Sequence, residues 1–320
     1  MALLDSAQSK ALTLSLSKGE GLRSVATVGD YFALLKPRVM SLVIFTGFAG
    51  IVVAPGHVNL LTAFSALLCI AVAAGASGAL NMAYDADIDR LMSRTASRPI
   101  PMGRVTRGEA LAFGWTLAVG AVTLMALFVN DFAAALLAFT VFFYVGVYTL
   151  LLKRRTPQNI VIGGLSGALP PAIGWAAVTG TLSFAPVLLV AIIFMWTPPH
   201  FWSLALFRSD DYARAGVPML PVVRGKPSTR RHIVAYALAL VPLGLLPAAI
   251  GLGGPLYLIM AAGLGGLLLW NAFAVLRETD EAKEPAARRM FAVTIVYLFS
   301  LFASLIVEHL VGLTTLKVWM

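Results

Sequence analysis

Residues 59–90 read NLLTAFSALLCIAVAAGASGALNMAYDADIDR, and the way this stretch ends decides what kind of chain carries it. The run 59–80 holds no charge and is long enough to cross a bilayer core of about 30 Å. Asn81, Asp85 and Asp89 follow at once, each four residues after the last. A four-residue step on an α-helix advances about 400° and rises about 6 Å, so the spacing predicts that these side chains climb one face. Asp87 then points to nearly the opposite side. Carboxylates at the end of a membrane helix are costly unless compensated, which makes them functional candidates. Two carboxylates and an amide form an oxygen-donor set suited to Mg²⁺, a hard cation that keeps waters or phosphate oxygens in its other positions. The plainer reading is an interfacial helix end whose acids pair with Arg90 and Arg94.

Hydrophobic residues make up 59% of the 320-residue chain and charged residues 12%, against roughly 25% charged in a soluble domain. Its main solvent is therefore lipid. Apolar runs near 38–55, 59–80, 111–129, 132–151, 158–179, 184–204, 232–252, 255–275 and 290–312 predict an all-α, multi-pass membrane bundle of nine spans. Pro170-Pro171 and Pro198-Pro199 fall inside spans, where kinks are tolerated. With the N-terminus inside, nine spans put 23 of the 24 Lys and Arg on the cytoplasmic side, in 1–38, 81–108, 152–157, 205–231 and 276–289; only Lys317 falls outside. That bias supports both orientation and span count. The net charge of +9 is thus a topology signal facing an anionic leaflet, and no nucleic-acid-binding motif accompanies it.

Residues 1–30 read as a mobile cytoplasmic tail without a signal peptide, leaving 31–320 as one intramembrane domain. Cys69, the single cysteine, excludes an intrachain disulfide or a cysteine metal cluster and reads as packing. The two long cytoplasmic segments each open acidic and turn basic. After the ladder comes MSRTASRPIPMGR, with Arg94 and Arg98 on one face if the helix continues that far. After the sixth span come Asp210 and Asp211, followed by Arg214, and between the two segments lies KRRTPQN with Lys153, Arg154, Arg155 and Asn159. Facing acidic clusters that hold Mg²⁺, with Lys and Arg donors around them, form a clamp for a diphosphate. Arg154-Arg155, Arg224 and Arg288-Arg289 are adequately explained as topological anchors.

From Leu35 to the final span the chain resembles the UbiA-type intramembrane prenyltransferases, and within them the haem-directed branch. The stretches that carry this are LLKPRVMSLVIFTGFAG, the N-x-x-x-D-x-x-x-D ladder at 81–89, DRLMSRTASRPIPMGRV, YTLLLKRRTPQNIVIGG and WTPPHFWSLALFRSDDYARAGVPMLPVVRG. The ladder alone is moderately specific. RTxxRP, LKRRTPQNIVIGG and TPPHFW ahead of DDY make the branch highly specific. The resemblance implies nine helices around a central cavity capped by cytoplasmic loops. It also implies transfer of farnesyl from farnesyl diphosphate to a vinyl group of haem B, giving haem O with its hydroxyethylfarnesyl side chain. The implied site comprises Asn81, Asp85, Asp89, Asp211 and Lys153 as catalytic residues. Asn81, Asp85, Asp89 and Asp211 bind Mg²⁺, while Lys36, Arg38, Arg94, Arg98, Asn159, His200 and Asp210 contact substrate. Membrane lipid as surroundings, a haem A synthase collecting the product, and a bacterial cytoplasmic (inner) membrane with the C-terminus periplasmic complete the expectation.

One departure matters. The family's second acidic ladder has acids four apart, yet the position four before Asp211 is Phe207. Adjacent residues sit about 100° apart on a helix, so one of Asp210 and Asp211 faces the site; Asp211, directly before Tyr212, fits the pattern. Ionisation of the allylic C–O bond needs no protein nucleophile, but the cation must be shielded. Tyr144, Tyr148, Phe201 and Trp202 are cation–π candidates, although aromatics at helical spacing are more often packing. His200 is a candidate iron ligand, or a kink histidine bonded to a freed carbonyl; His57, His232 and His309 read as structural. An aromatic-acceptor or quinone-precursor prenyltransferase would share the ladder without needing the branch motifs. A transporter would share the spans and buried acids without needing a diphosphate clamp.

Overall fold

A computed structural model describes residues 26–313, and every regular element among them is helical. The tail expected over 1–30 lies outside the described residues up to position 25. Helix α1 (Val28–Leu34) begins in its last three positions, under a Thr27–Asp30 capping box. At Lys36 the backbone turns left-handed, φ 52°, and Pro37 opens α2 (Pro37–Val53), where a missing N–H costs nothing. The two helices meet at 54°, a bend that fits either a broken span or a re-entrant loop.

The remaining chain supplies α3 (Leu60–Tyr84), short α4 (Ala86–Leu91), α5 (Arg107–Phe128) and α6 (Asp131–Phe142), the last continuing as a π-helical stretch, Phe143–Leu152. Next come α7 (Asn159–Ala168) and α8 (Pro170–Thr179), which share one span, then α9 (Phe184–Leu206) and short α10 (Ser209–Arg214). Helices α11 (Leu220–Ala249), α12 (Pro255–Leu276) and α13 (Pro285–Leu310) complete the bundle. Among the described residues eight of these units are long and apolar enough to cross a membrane, and the number is nine if the bent α1–α2 pair forms one span. The protein is a multi-pass membrane bundle, as its hydropathy predicts. One adjustment is that α11 starts inside the stretch expected to be loop and kinks at Gly225, φ 76°, a conformation that favours glycine.

Two apolar cores organise the spans. One gathers α9, α11, α12 and α13 around Leu189, Tyr257 and Phe302; the other gathers α3, α5, α6 and α8 around Ile70, Leu80 and Met125. Helices α2 and α8 touch through backbone. A Cβ on Gly50 would collide with the Pro171 carbonyl, and one on Gly174 with the Gly47 carbonyl, the close approach that small residues permit in membranes. Between the helices an apolar cavity is lined by Met40, Ile70, Ala73, Ser77, Tyr144 and Pro170, among others. Ser77 is one helical turn before Asn81, so the cavity lies beneath the acid ladder. At the other end of the bundle the buried Glu308 carboxylate caps α12, accepting from the Gly254, Leu256 and Tyr257 amides at 2.5, 2.6 and 3.1 Å. Negative charge at a helix N-terminus is stabilising.

The two long connections pack on each other as a lid at the ladder end of the bundle. Ile88 and Met92 of the first pack with Tyr212, Val217 and Met219 of the second, over Ile160 and Ala205. Ser93 and Asp211 bond across the same contact.

Candidate active site

The ladder residues are buried together, Asn81 at 4% exposure, Asp85 at 0% and Asp89 at 2%. The helix expected to carry all three is interrupted. Asp85 has φ −95° and ψ 7°, ends α3 and starts α4. The one-face relation survives because the Asp85 amide still donates to the Asn81 carbonyl (2.9 Å) and the Asp89 amide to the Asp85 carbonyl (2.8 Å). Asp87 faces away, its side chain 65% exposed, and takes two 2.7 Å bonds from Arg154. Those bonds hold its carboxyl well below the usual range, to about 2.

Each ladder residue has a cation of its own. Lys36 Nζ donates to Asn81 Oδ1 at 2.8 Å, Lys153 is ion-paired with Asp85 Oδ2, and Arg98 reaches Asp89 Oδ2 at 2.6 Å. Asn81 Nδ2 bonds Asp85 Oδ2 (2.6 Å) and Thr149 Oγ1 (3.2 Å). Thr149 lies in the π-helical stretch, and the Lys153 amide bonds five residues back to Tyr148. Such π turns are frequent at functional sites because the extra residue redirects side chains, and here the turn delivers Thr149 and Lys153 to the ladder.

The second acidic pair divides. Asp211 is buried at 5% while Asp210 is exposed, bonded to Ser209 Oγ at 3.4 Å. Ser93 Oγ donates to Asp211 at 2.8 and 3.1 Å, Arg214 is ion-paired with it, and Arg208 stands 3.9 Å away. Burial opposes ionisation of Asp211, but the Ser93 bonds and the two guanidinium groups outweigh it and hold its pKa below the ordinary value.

The remaining candidate residues occupy varied positions. Arg94 and Arg98 do not share a helix face: α4 stops at Leu91 and Met92 is extended. The chain then turns, held by the Thr95 hydroxyl donating to the Asp89 carbonyl (2.8 Å), so Arg98 folds back to Asp89 while Arg94 is exposed. Arg38 is exposed in the first turn of α2, with no ion pair to a site residue among the described residues. Asn159 is fully buried, its amide donates to the Lys153 carbonyl at 3.1 Å, and its Oδ1 is left without a hydrogen-bond partner. His200 is sandwiched between Trp196 and Phe291, centroids 4.3 and 4.4 Å away, with Nδ1 on the Thr294 hydroxyl at 2.8 Å. Its partner is a hydroxyl on α13 and not a carbonyl freed by Pro198 or Pro199. Trp202 is buried against His232 and Tyr236, away from the ladder.

Three participants sit inside quoted motifs with partners that the sequence does not point to. Ser93 reaches Asp211 across 118 residues and Thr149 reaches Asn81 across 68. Arg154, explicable as a topological anchor, grips Asp87 and the Tyr84 carbonyl (3.0 Å) and stands 3.7 Å from Asp85 Oδ1.

Among the described residues no three His, Cys, Asp or Glu side chains converge on one metal position. The ladder nevertheless suits a hard cation that shares its shell with ligand oxygens. Its donors are all oxygens, and Asp85 Oδ1 is buried without a hydrogen-bond partner. A bound ion would satisfy that acceptor.

The model of the UbiA prenyltransferase family matches residues 42–302. The chain is 62% identical to a protoheme IX farnesyltransferase of Parvibaculum lavamentivorans over 89% of this chain and 90% of the relative. It is 59% identical to one from Azorhizobium caulinodans over 93% and 97%. Among solved structures, a digeranylgeranylglyceryl phosphate synthase superimposes with a TM-score of 0.72 at 19% identity, covering 88% of this chain and 98% of that one. A UbiA homologue from Archaeoglobus fulgidus, bound to GPP and Mg²⁺, gives 0.58 at 16% identity over 86% and 99%. At these identities the structural likeness speaks for the fold.

Proposed function

The chain belongs to the UbiA prenyltransferase family, and we propose that it transfers the farnesyl group of farnesyl diphosphate to a vinyl carbon of protoheme IX with addition of water, releasing diphosphate. It is a prenyltransferase. The observation that carries the reading is the buried ladder with a cation at each rung, directly above an apolar cavity. A ligand with a highly charged head and a hydrocarbon tail matches that arrangement. Relatives 55–62% identical over most of this chain are named for this reaction, and a homologue of the same fold binds GPP with Mg²⁺.

Asp85, Asp89 and Asn81 would hold Mg²⁺, with Asp211 approaching from the lid. The ion would supply charge neutralisation to the diphosphate as it leaves. Lys153 and Arg98 are released from Asp85 and Asp89 to the diphosphate oxygens, their charges opposing the negative charge that grows when the allylic C–O bond breaks. Lys36 holds Asn81 in register, and Asn159 fixes the backbone of Lys153. Arg94, on the lid beyond the ladder, and the exposed Asp210 and Arg38 would meet the diphosphate or its counter-ions at the mouth. The prenyl cation forms over Tyr144 and Tyr148, whose rings stand 5.4 Å apart, and π faces stabilise such charge. The vinyl group attacks C1 of the prenyl group, and water captures the cation beside the porphyrin, losing a proton to become the hydroxyl.

The acceptor contact is assigned to His200, an aromatic edge near the cytoplasmic end of α9 whose ring is held by Thr294. Positive-inside bias supports a bacterial cytoplasmic membrane with the N-terminus inside. The lipid-embedded product suits direct collection by a haem A synthase. A decisive test measures Mg²⁺-dependent diphosphate release from farnesyl diphosphate with haem B or with an aromatic quinone precursor as acceptor. Release supported by the quinone precursor alone would assign a different acceptor class. Transport of either compound without release would remove the enzymatic reading.

A further inference from the structure

A second, polar groove opens on the side of the ladder facing away from the cavity. It is lined by Tyr84, Asp87, Arg107, Thr149, Leu150 and Arg154, among others, residues at the cytoplasmic ends of three membrane-spanning units. Tyr84 is the last residue of α3, Arg107 the first of α5, and Arg154 follows the π-helical stretch by two residues. The groove therefore sits at the level of lipid headgroups. Its lower rim is lipid-facing, with Leu150 47% and Leu151 47% exposed.

The charges in the groove are unequal. Arg154 is neutralised by its two bonds to Asp87. Arg107 rests over the Tyr84 ring, 5.7 Å from its centroid, and makes no ion pair among the described residues. The nearby Glu109 carboxylate is turned back onto the Thr106 amide and hydroxyl, both at 2.8 Å. Two guanidinium groups against one carboxylate leave one positive charge. That matches a phosphodiester, which carries one negative charge, better than a phosphomonoester or diphosphate carrying two or more.

We propose that this groove is a binding site for the phosphodiester headgroup of an anionic membrane phospholipid, bridged by Arg107 and Arg154, with the acyl chains descending over Leu150. Guanidinium forks suit phosphate oxygens, and the cytoplasmic leaflet is the anionic one. The site adjoins the diphosphate clamp: Asp87 faces outward where Asn81, Asp85 and Asp89 face in, and Arg154 stands at the boundary, bonded to Asp87 and 3.7 Å from Asp85 Oδ1. Only the wall formed by the end of α3 and Thr149 divides the two.

Native mass spectrometry of the full chain, released from detergent with phosphatidylglycerol or phosphatidylcholine added, tests this. Wild type should retain one phosphatidylglycerol at concentrations where phosphatidylcholine is not retained. Arg107→Gln should weaken that retention about tenfold, and Arg107→Lys by less, because charge remains while the fork is lost. Prenyl transfer by Arg107→Gln in neutral lipid should equal that of wild type, which shows the variant folded. Equal retention of phosphatidylglycerol by wild type and Arg107→Gln would overturn the proposal. So would displacement of the lipid by inorganic phosphate or glycerol 3-phosphate at equal concentration, which would make this a site for soluble anions. Both readouts stand whichever acceptor the enzyme proves to use.

Discussion

Removing the hydroxyl of Ser93 isolates the link between the two halves of the lid. Ser93 Oγ joins the first long connection to Asp211 on the second, at 2.8 and 3.1 Å, beside a weaker 3.4 Å bond from the Ser93 amide that an alanine would keep. A hydrogen bond to a charged group contributes about 1.5–3 kcal/mol. Ser93 itself is exposed, so water replaces part of what is lost and the lower end applies. About 1.5 kcal/mol corresponds to roughly tenfold in an equilibrium or rate. Ser93→Ala should therefore lower kcat/KM for farnesyl diphosphate about tenfold at fixed Mg²⁺, and Ser93→Thr should recover most of it. Ser97→Ala is the control, since Ser97 contributes only its backbone carbonyl, to Arg104. The assay is steady-state diphosphate release from membranes at matched protein level. Wild-type kinetics in Ser93→Ala would refute the idea that the lid must be tied to Asp211 for substrate to be held.

Further outcomes follow from the same geometry. Asp85→Asn or Asp89→Asn should abolish turnover while the protein remains inserted, whereas Asp87→Asn, on the outer face, should keep most activity; equal loss at all three would contradict the one-face ladder. Gly50→Ala should lower thermal stability, because its Cβ meets the Pro171 carbonyl and overpacking costs about 1–3 kcal/mol; an unchanged Tm would show that α2 and α8 can separate freely. His200→Gln keeps a hydrogen-bonding group for Thr294 but is a poor iron ligand, so weakened haem binding with unchanged prenyl diphosphate affinity is expected. An unaltered haem spectrum and KM in that variant would leave His200 with packing alone. Asp211 carries a folded-state pKa below its unfolded value. Its contribution to stability is present above the unfolded pKa of about 4 and fades as pH falls through the folded one, so Asp211→Asn should flatten the acid limb of an unfolding curve monitored from neutral pH downward.

Hydropathy made the bundle legible because lipid imposes a long, nearly uncharged run on every span. The ladder was legible because a period of four survives even where the helix breaks at Asp85. The break itself, the turn that returns Arg98 to Asp89, and the π-helical register behind Thr149 and Lys153 depend on contacts between distant segments. Ser93 and Arg154 lie inside quoted motifs, yet their partners, Asp211 and Asp87, come from distant segments that no local pattern points to. Asn159 gains a partner that its motif does not show: its amide donates to the Lys153 carbonyl.

Extraction of haem from membranes carrying this chain, after incubation with haem B, farnesyl diphosphate and Mg²⁺, tests the central claim most directly when the product is weighed by mass spectrometry. The expected product is haem B enlarged by one farnesyl group and one hydroxyl, formed only with Mg²⁺ present and absent from the Asp85→Asn variant. Unmodified haem B from the wild-type incubation, in membranes where the chain is folded and inserted, would contradict it.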